Sequence, residues 1–377
     1  MATQRTKLFI EATPLLSDKM SGIGHVLLET VKALDTAEVA LRYDVRLFVP
    51  WNERKKMDKY AFAHLSIKRL PYPHKFLSLF SRMKVNPPLD VFLGKGVYVF
   101  PNYRNWSLMF SRSLTYVHDA CFVMYPEYVE KRNLKYLQKY VPMWLKRTDV
   151  VVTVSESSRQ EIQEHLKSLV TDVAVVPNAI DQTHFYPRPK DDIDLMRKKY
   201  KLGEDYLLYL GNIEPRKNLS TLIAAFRKSA VSSSAELFLV GGDGWLNETI
   251  HHEIEQANKN GLRIHRNQQY VPDEDLPALL SGARALVQPS WHEGFGLAVL
   301  QAIACGTQVI CSDIPSLREV AKRYPESKLF YFTPDSSEQL IQILNKLPEK
   351  TVQKVPPHMQ SWHMSVEQLL RCVNQIK

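Results

Sequence analysis

The stretch YLLYLGNIEPRKNLSTLIAAF, residues 206–226, decides the fold. Tyr206 to Gly211 reads as a short buried strand, an unbroken apolar run closed by a glycine. A tight loop follows, and the pattern from Asn218 to Val231 predicts a helix. Strand, loop, helix is the repeating unit of a parallel sheet covered on both faces.

The alternation extends in both directions. Downstream, Leu237 to Gly241, Leu262 to His265, Ala285 to Val287 and Val309 to Cys311 read as strands, and Gly296 to Ala304 as a helix. Upstream, Lys7 to Ala12, Val45 to Val49, Val97 to Phe100, Leu114 to His118 and Val150 to Val154 read as strands. Val26 to Leu34 and Glu127 to Lys146 read as helices. Between the two series, residues 177–194 carry prolines and charges without periodicity, the mark of a linker. The expected fold class is α/β: two Rossmann-like doubly wound domains, residues 1–180 and 181–360, facing across a cleft. A last segment, Met364 to Ile376, has helical apolar spacing and can pack on either domain.

Length agrees with two domains: the chain has 377 residues, and about 150 is usual for one. With 45% hydrophobic and 24% charged residues it is globular, which excludes disorder, collagen and coiled coil as the overall state. Four cysteines without a CxxC pair exclude a disulfide scaffold and point to a reduced, cytosolic chain. The first residues lead straight into a strand-like run, so no signal peptide is expected. No apolar stretch approaches the ~20 residues that span a bilayer.

Charge is uneven. Residues 1–185 hold 26 Lys+Arg against 18 Asp+Glu, and residues 186–377 hold 23 against 22. Such a basic half suits nucleic acid, an anionic membrane or a phosphate-bearing substrate.

Four features sit at strand ends, where open α/β sheets bind ligands. The first is Gly211 to Leu219, which brings Arg216 and Lys217 to a helix N-terminus. A helix start favours anions, and two cations there suit a diphosphate. A solvated turn would carry the same residues. The second is Ser290 to Gln301. Gly294 and Gly296 flank Phe295 and let backbone amides approach a ligand. Glu293 can accept hydrogen bonds from sugar hydroxyls or cap the helix. Gln301 lies eight residues after Glu293, about two turns on and on a similar helical face. The third is His118, after an apolar strand, either facing a substrate hydroxyl or satisfied within the structure. The fourth is Ser21-Gly22-Ile23-Gly24-His25, a Gly-x-Gly loop after the first strand. Leu27 stands where a dinucleotide fingerprint needs its third glycine, so NAD is not expected.

Together these features resemble one family, the retaining GT4 glycosyltransferases of GT-B fold, mannosyltransferase-like in the run EPRKN. The resemblance is most specific from Tyr206 to Val320. VVPNAID at 175–181, SGIGHV at 21–26 and VHDA at 117–120 add to it. It implies a nucleotide-sugar donor in the second domain and a glycan or lipid-linked acceptor in the first. Arg216 and Lys217 would hold the donor diphosphate, with Gly211 ending the strand before them. Glu293 and His118 would be the catalytic pair. Gly294, Phe295, Gly296 and Leu297 would approach sugar and phosphate, and Gly22 and Gly24 would close on the diphosphate. The last helix would return to the first domain. GDP-mannose is the expected donor, with UDP-linked and deoxy-sugar donors open.

Two departures stand out. The family's E-x7-E pair is Glu293-x7-Gln301 here, an amide where members hold the ribose with a carboxylate. Asn212 stands where many members have arginine. A non-catalytic subunit that activates a partner transferase is therefore the competing reading.

No cofactor or catalytic metal is expected. Asp192-Ile193-Asp194 has the Asp-x-Asp form of metal-dependent transferases, but it sits beside Arg197, Lys198 and Lys199 and reads as a helix start. Basic and apolar residues interleave through 51–84, and His74 to Lys84 reads as an amphipathic helix suited to an anionic membrane. No nucleic-acid motif accompanies the basic half. The expected location is cytoplasmic, with peripheral docking on the inner face of the membrane.

Overall fold

The computed structural model describes residues 5–71, 87–170, 172–267 and 270–377. The chain divides into two compact units. The first takes in the chain up to Met124, Lys135–Asn178 and Trp362–Lys377. The second takes in Tyr125–Leu134 and Ala179–Ser361. Residues 125–134 thus group with the second unit, although the sequence reading set all of 1–180 in the first.

The first unit's described strands are β1 (Thr6–Glu11), β2 (Tyr43–Pro50), β3 (Ser66–Leu70), β4 (Val97–Phe100), β5 (Arg112–Tyr116), β6 (Val150–Thr153) and β7 (Val173–Val175). They form one parallel sheet in the order β3-β2-β1-β4-β5-β6-β7. The strands are short and apolar because both faces are covered. All four residues of β4, VYVF, are buried. Phe9 and Tyr98 stack with ring centres 4.6 Å apart, and the Tyr98 hydroxyl donates to the Gly94 carbonyl at 2.7 Å.

The second unit repeats the plan. Its described strands are β8 (Tyr206–Leu210), β9 (Glu236–Val240), β10 (Ile264–Arg266), β11 (Ala285–Gln288), β12 (Val309–Ser312) and β13 (Leu329–Phe332). Their order is β10-β9-β8-β11-β12-β13, again parallel. In both sheets the strand order reverses beside the first strand, between β1 and β4 and between β8 and β11. Ligands of open α/β sheets bind outside the carboxyl ends at such a reversal.

Several boundaries differ from the sequence reading. The first helix spans Gly22–Leu34, so Gly22 and Gly24 lie in its first turn and not in a loop before it. Ser21 is the reason: its hydroxyl accepts from the Gly24 N–H at 3.2 Å and caps the helix there. The expected linker ends early, because Lys190–Tyr200 is a helix started by Pro189 at its cap. Asp194 on this helix pairs with Arg197 at 2.9 Å. The final helix, Trp362–Ile376, belongs to the first unit and packs on Gly22–Leu34. Ser365 Oγ fastens its start by donating to the Pro177 carbonyl at 2.6 Å. The amphipathic segment expected at His74 to Lys84 lies outside the described residues. Among the described residues, no helix is long and apolar enough to cross a membrane.

Candidate active site

The loop after β8 and the loop after β11 leave their sheet at the strand reversal. The first is shaped by glycines of a neighbouring turn. A Cβ on Gly241 would lie 1.9 Å from the Gly211 carbonyl oxygen, so only glycine admits this approach. Gly211 N–H donates to Val240 O, and Ile213 N–H to Gly242 O, both at 2.9 Å. The buried Tyr209 hydroxyl adds a bond to Asn212 O at 2.7 Å. Pro215–Lys217 then forms one 3-10 turn, and Asn218 takes a left-handed conformation, φ 56°, before the helix Leu219–Lys228. The Asn218 amide holds this corner by donating to Pro289 O at 3.0 Å and Pro334 O at 2.7 Å.

This scaffold presents four charged side chains as two pairs. Arg216 donates through Nη2 and Nε to Glu214 Oε1, at 2.8 and 3.1 Å, and through Nη1 to His292 O at 2.8 Å. Lys217 Nζ donates to both oxygens of Glu293, at 2.7 and 2.9 Å. Glu214 is 2% exposed and Glu293 9%, so each carboxylate needs its cation. Glu293 Oε1 also accepts from Ser290 Oγ at 2.7 Å and Gln288 Nε2 at 2.9 Å. Burial alone would raise the Glu293 carboxyl, but Lys217 and Arg216 outweigh it and hold the pKa down at about 2. The carboxylate is therefore ionised at neutral pH, and the four formal charges cancel.

Glu293 does not cap the helix that follows. The cap position of Leu297–Ala304 is Gly296, at φ 97°, and no side chain serves that end. A Cβ on Gly296 would lie 2.4 Å from Leu317 Cδ2. The first N–H groups of a helix have no partner within it, and here Leu297 opens the helix beside Glu293. Phe295 is buried and Gly294 half-buried. Gln301 is half-buried on the fifth residue of this helix. It lies one turn in, so it does not share a helical face with Glu293, which precedes the helix.

Residues 125–134 add an aromatic wall to this unit. Tyr128 stacks on Trp291 at 6.4 Å, and Tyr125 meets the His292 ring at 5.5 Å. Trp245 Nε1 donates to the Tyr128 carbonyl at 2.5 Å.

In the first unit, His118 follows β5. Its Nε2 lies 2.8 Å from Pro101 O, a carbonyl, so Nε2 carries the proton and Nδ1 is the acceptor of the neutral ring. Burial lowers the His118 pKa, which keeps that ring neutral. Tyr116 stacks on it at 5.8 Å. A small cavity lined by Ile23, Leu27, Tyr116, His118 and Leu369 adjoins this ring. Gly24 is packed tightly, since a Cβ there would lie 2.5 Å from Met20 Cγ, while Gly22 is open.

Two family profiles match the chain. One, described as Glycosyl transferases group 1, matches residues 192–358, and the other, Glycosyltransferase Family 4, matches residues 20–184. The chain belongs to the GT4 glycosyltransferases. This GT4 chain is 35% identical over 212 residues to O-antigen chain mannosyltransferase B of Escherichia coli, covering 55% of each chain. It thus spans about half the length of this curated relative. Among solved structures it resembles a sucrose-phosphate synthase from Thermosynechococcus elongatus, with 19% identity, TM-score 0.71 and coverage of 98% and 99% of the two chains. It also resembles HepE of Anabaena, solved in complex with UDP-glucose, with 17% identity, TM-score 0.65 and 98% of both chains covered. These likenesses give the GT4 chain its fold, GT-B with two Rossmann-like halves.

Sequence reasoning missed Glu214, Gln288 and Ser290. Glu214 had a signal in its place one residue before the Pro215 turn, but a buried partner for Arg216 is visible only once the loops fold together. Gln288 is the last residue of an otherwise apolar strand, and a lone amide there could have been flagged.

Proposed function

We propose that this chain is a retaining glycosyltransferase, moving a hexosyl group from a nucleotide-sugar to a hydroxyl of a glycan or lipid-linked acceptor in cell-surface polysaccharide synthesis. GDP-mannose is the donor we favour, by analogy with the mannosyltransferase relative from Escherichia coli. The second unit would take the donor and the first the acceptor. The observation that carries the reading is the ionised Glu293 held by Lys217 at the strand reversal.

The charge arrangement suggests how the residues act. An arriving diphosphate competes with Glu293 for Lys217 Nζ. Lys217 turning to phosphate frees carboxylate lone pairs for sugar hydroxyls, so donor binding arms both groups at once. Arg216, tied to Glu214 and the His292 carbonyl, supplies a fixed cation and loses no order on binding. The sugar departs with oxocarbenium character while negative charge grows on the diphosphate, and preorganised cations stabilise that change most. N–H groups at the Leu297 helix start point the same way. We further propose that the step needs no metal and that the chain works in the cytoplasm.

The test is release of nucleotide from GDP-mannose and UDP-glucose by the purified chain, with and without EDTA. Proton NMR of the product reads the anomeric configuration. Glu293→Ala should lower turnover on the order of 10²–10³-fold. Unchanged turnover in that variant, or an inverted product, overturns the reading.

Gln301 favours a second reading, a non-catalytic subunit that activates a partner transferase. Its amide stands where a ribose-holding carboxylate is expected from the resemblance. A chain that binds no nucleotide-sugar alone, yet gains binding in Gln301→Glu, would support this second reading.

A further inference from the structure

Glu293 is held by more than its ion pair. Gln288, the last residue of β11, and Ser290, two positions on, are 1% and 0% exposed. Ser290 Oγ donates to Glu293 Oε1 at 2.7 Å. Gln288 Nε2 donates to the same oxygen at 2.9 Å and to Ser290 Oγ at 3.0 Å. The three side chains close a triangle of hydrogen bonds. This fixes the Gln288 amide, because turned over its carbonyl oxygen would face two acceptors.

That orientation costs stability. Gln288 Oε1 is buried and, among the described residues, has no hydrogen-bond partner. A buried acceptor left unpaired is destabilising, and an apolar side chain of the same size would carry no such penalty. The other three residues of β11, ALV, are apolar and buried. Packing therefore gives no reason for an amide at the fourth position. The hydrogen bonds it donates give one.

The two oxygens of Glu293 are held unequally. Oε1 accepts from Ser290, Gln288 and Lys217. Oε2 accepts from Lys217 at 2.9 Å, and Arg216 Nη1 lies beyond hydrogen-bond reach at 3.6 Å. If Lys217 leaves, Oε1 keeps two neutral donors and Oε2 is opened to a ligand.

We propose that Gln288 and Ser290 are positioning residues that keep Glu293 ionised, with Oε2 toward the sugar, once the donor diphosphate has drawn Lys217 away. The inference rests on the transfer reading above and goes one step further into it. Without Lys217, Glu293 is a buried carboxylate that has lost its nearest cation. Such a group takes up a proton unless hydrogen bonds hold its charge. Protonated, it would be a poorer acceptor for a sugar hydroxyl. Donors on Oε1 hold the charge and set the carboxylate plane, so the sugar meets Oε2 in one orientation. The charged and titratable groups around the carboxylate are Lys217 and Arg216 in the turn after β8, Glu214 beside Arg216, and Tyr209 on β8. Burial raises Tyr209 well above its ordinary value, so it stays neutral. Arg216 is committed to Glu214 and the His292 carbonyl and does not replace the two donors.

The test uses the full chain with Gln288→Met and, separately, Ser290→Ala. Methionine matches glutamine in length and donates no hydrogen bond. With GDP-mannose or UDP-glucose as donor, kcat should fall about tenfold in each variant while donor KM stays within about twofold. The acid limb of kcat should move up by about one pH unit, because the carboxylate has lost a donor. The melting temperature of Gln288→Met at neutral pH should match or exceed the parent's, since the unpaired oxygen is gone. A merely structural part would show the reverse, a lower melting temperature and an unmoved acid limb. Glu293→Ala separates the two ideas. Unchanged turnover in that variant defeats the transfer reading, whereas a dead Glu293→Ala beside fully active Gln288→Met and Ser290→Ala defeats this one. Acid melts of the donor-free chain read the same hydrogen bonds without turnover. The pH at which Glu293 takes its proton, about 2 in the parent, should rise by about one unit in either variant. A value unmoved in both overturns the proposal.

Discussion

Lys217 Nζ brackets the carboxylate of Glu293, 2.7 Å from one oxygen and 2.9 Å from the other. The two residues come from loops after neighbouring strands, β8 and β11, and 76 positions of sequence separate them. Their pairing makes a buried acid chemically available at neutral pH.

Acid should undo this pair in a defined window. The Glu293 carboxyl has an ordinary value of 4.5 and is held at about 2 in the fold. The folded state then binds the proton more weakly than the unfolded one, so the stabilisation is complete above about 4.5 and vanishes as pH falls through about 2. It is worth on the order of 3 kcal/mol. Denaturant melts between these limits should show a falling stability in the parent that is shallower in Glu293→Gln.

Removing either partner alone should be costly, and removing both less so. Lys217→Met leaves a buried carboxylate, and Glu293→Gln leaves a buried ammonium, each costing about 3 kcal/mol. The double variant should lose clearly less than the sum. Strict additivity in guanidinium unfolding would show that the two charges do not stabilise each other.

Gly241→Ala should damage the site from a distance. The new Cβ would press on the Gly211 carbonyl at 1.9 Å, in a backbone with φ 153°. We expect a loss on the order of 3 kcal/mol and displacement of the loop carrying Arg216 and Lys217. Gly22→Ala has nothing within 4 Å of its Cβ and should be nearly neutral, with both variants read by thermal melts.

His118 gives a prediction at milder pH. Burial lowers its pKa from 6.5, so protonation opposes folding. Its contribution is complete above about 6.5 and is lost as pH falls through the folded value. His118→Gln keeps an N–H donor for Pro101 O and cannot titrate. Its stability should therefore be flatter than the parent's just below about 6.5, read by thermal melts in a pH series.

The strands of both central sheets were legible because they are doubly buried, and continuous apolar runs announce that state. β4 was read at its observed limits. β3, β7 and β13 were missed. SIKRL at β3 is half polar, because it forms the edge of its sheet and is only partly covered. At the site, Arg216, Lys217 and Glu293 were legible as charges flanking glycine turns. Their pairing was not, since it depends on which loops the strand order makes neighbours. Gly22 and Gly24 read as a loop because Gly-x-Gly after a first strand resembles a dinucleotide loop, but the Ser21 cap draws both into a helix.

The two units exchange chain with each other. Tyr125–Leu134 serves the second, and Trp362–Lys377 serves the first. Neither is therefore a contiguous module that one cut can release. A fragment of residues 179–361 would lose Tyr128, which covers Trp291 and accepts from Trp245. A fragment ending at Asn178 would bare the side of Gly22–Leu34 that the final helix protects. Recombining whole units between relatives therefore calls for four crossover points, with both exchanged segments travelling alongside the units they complete.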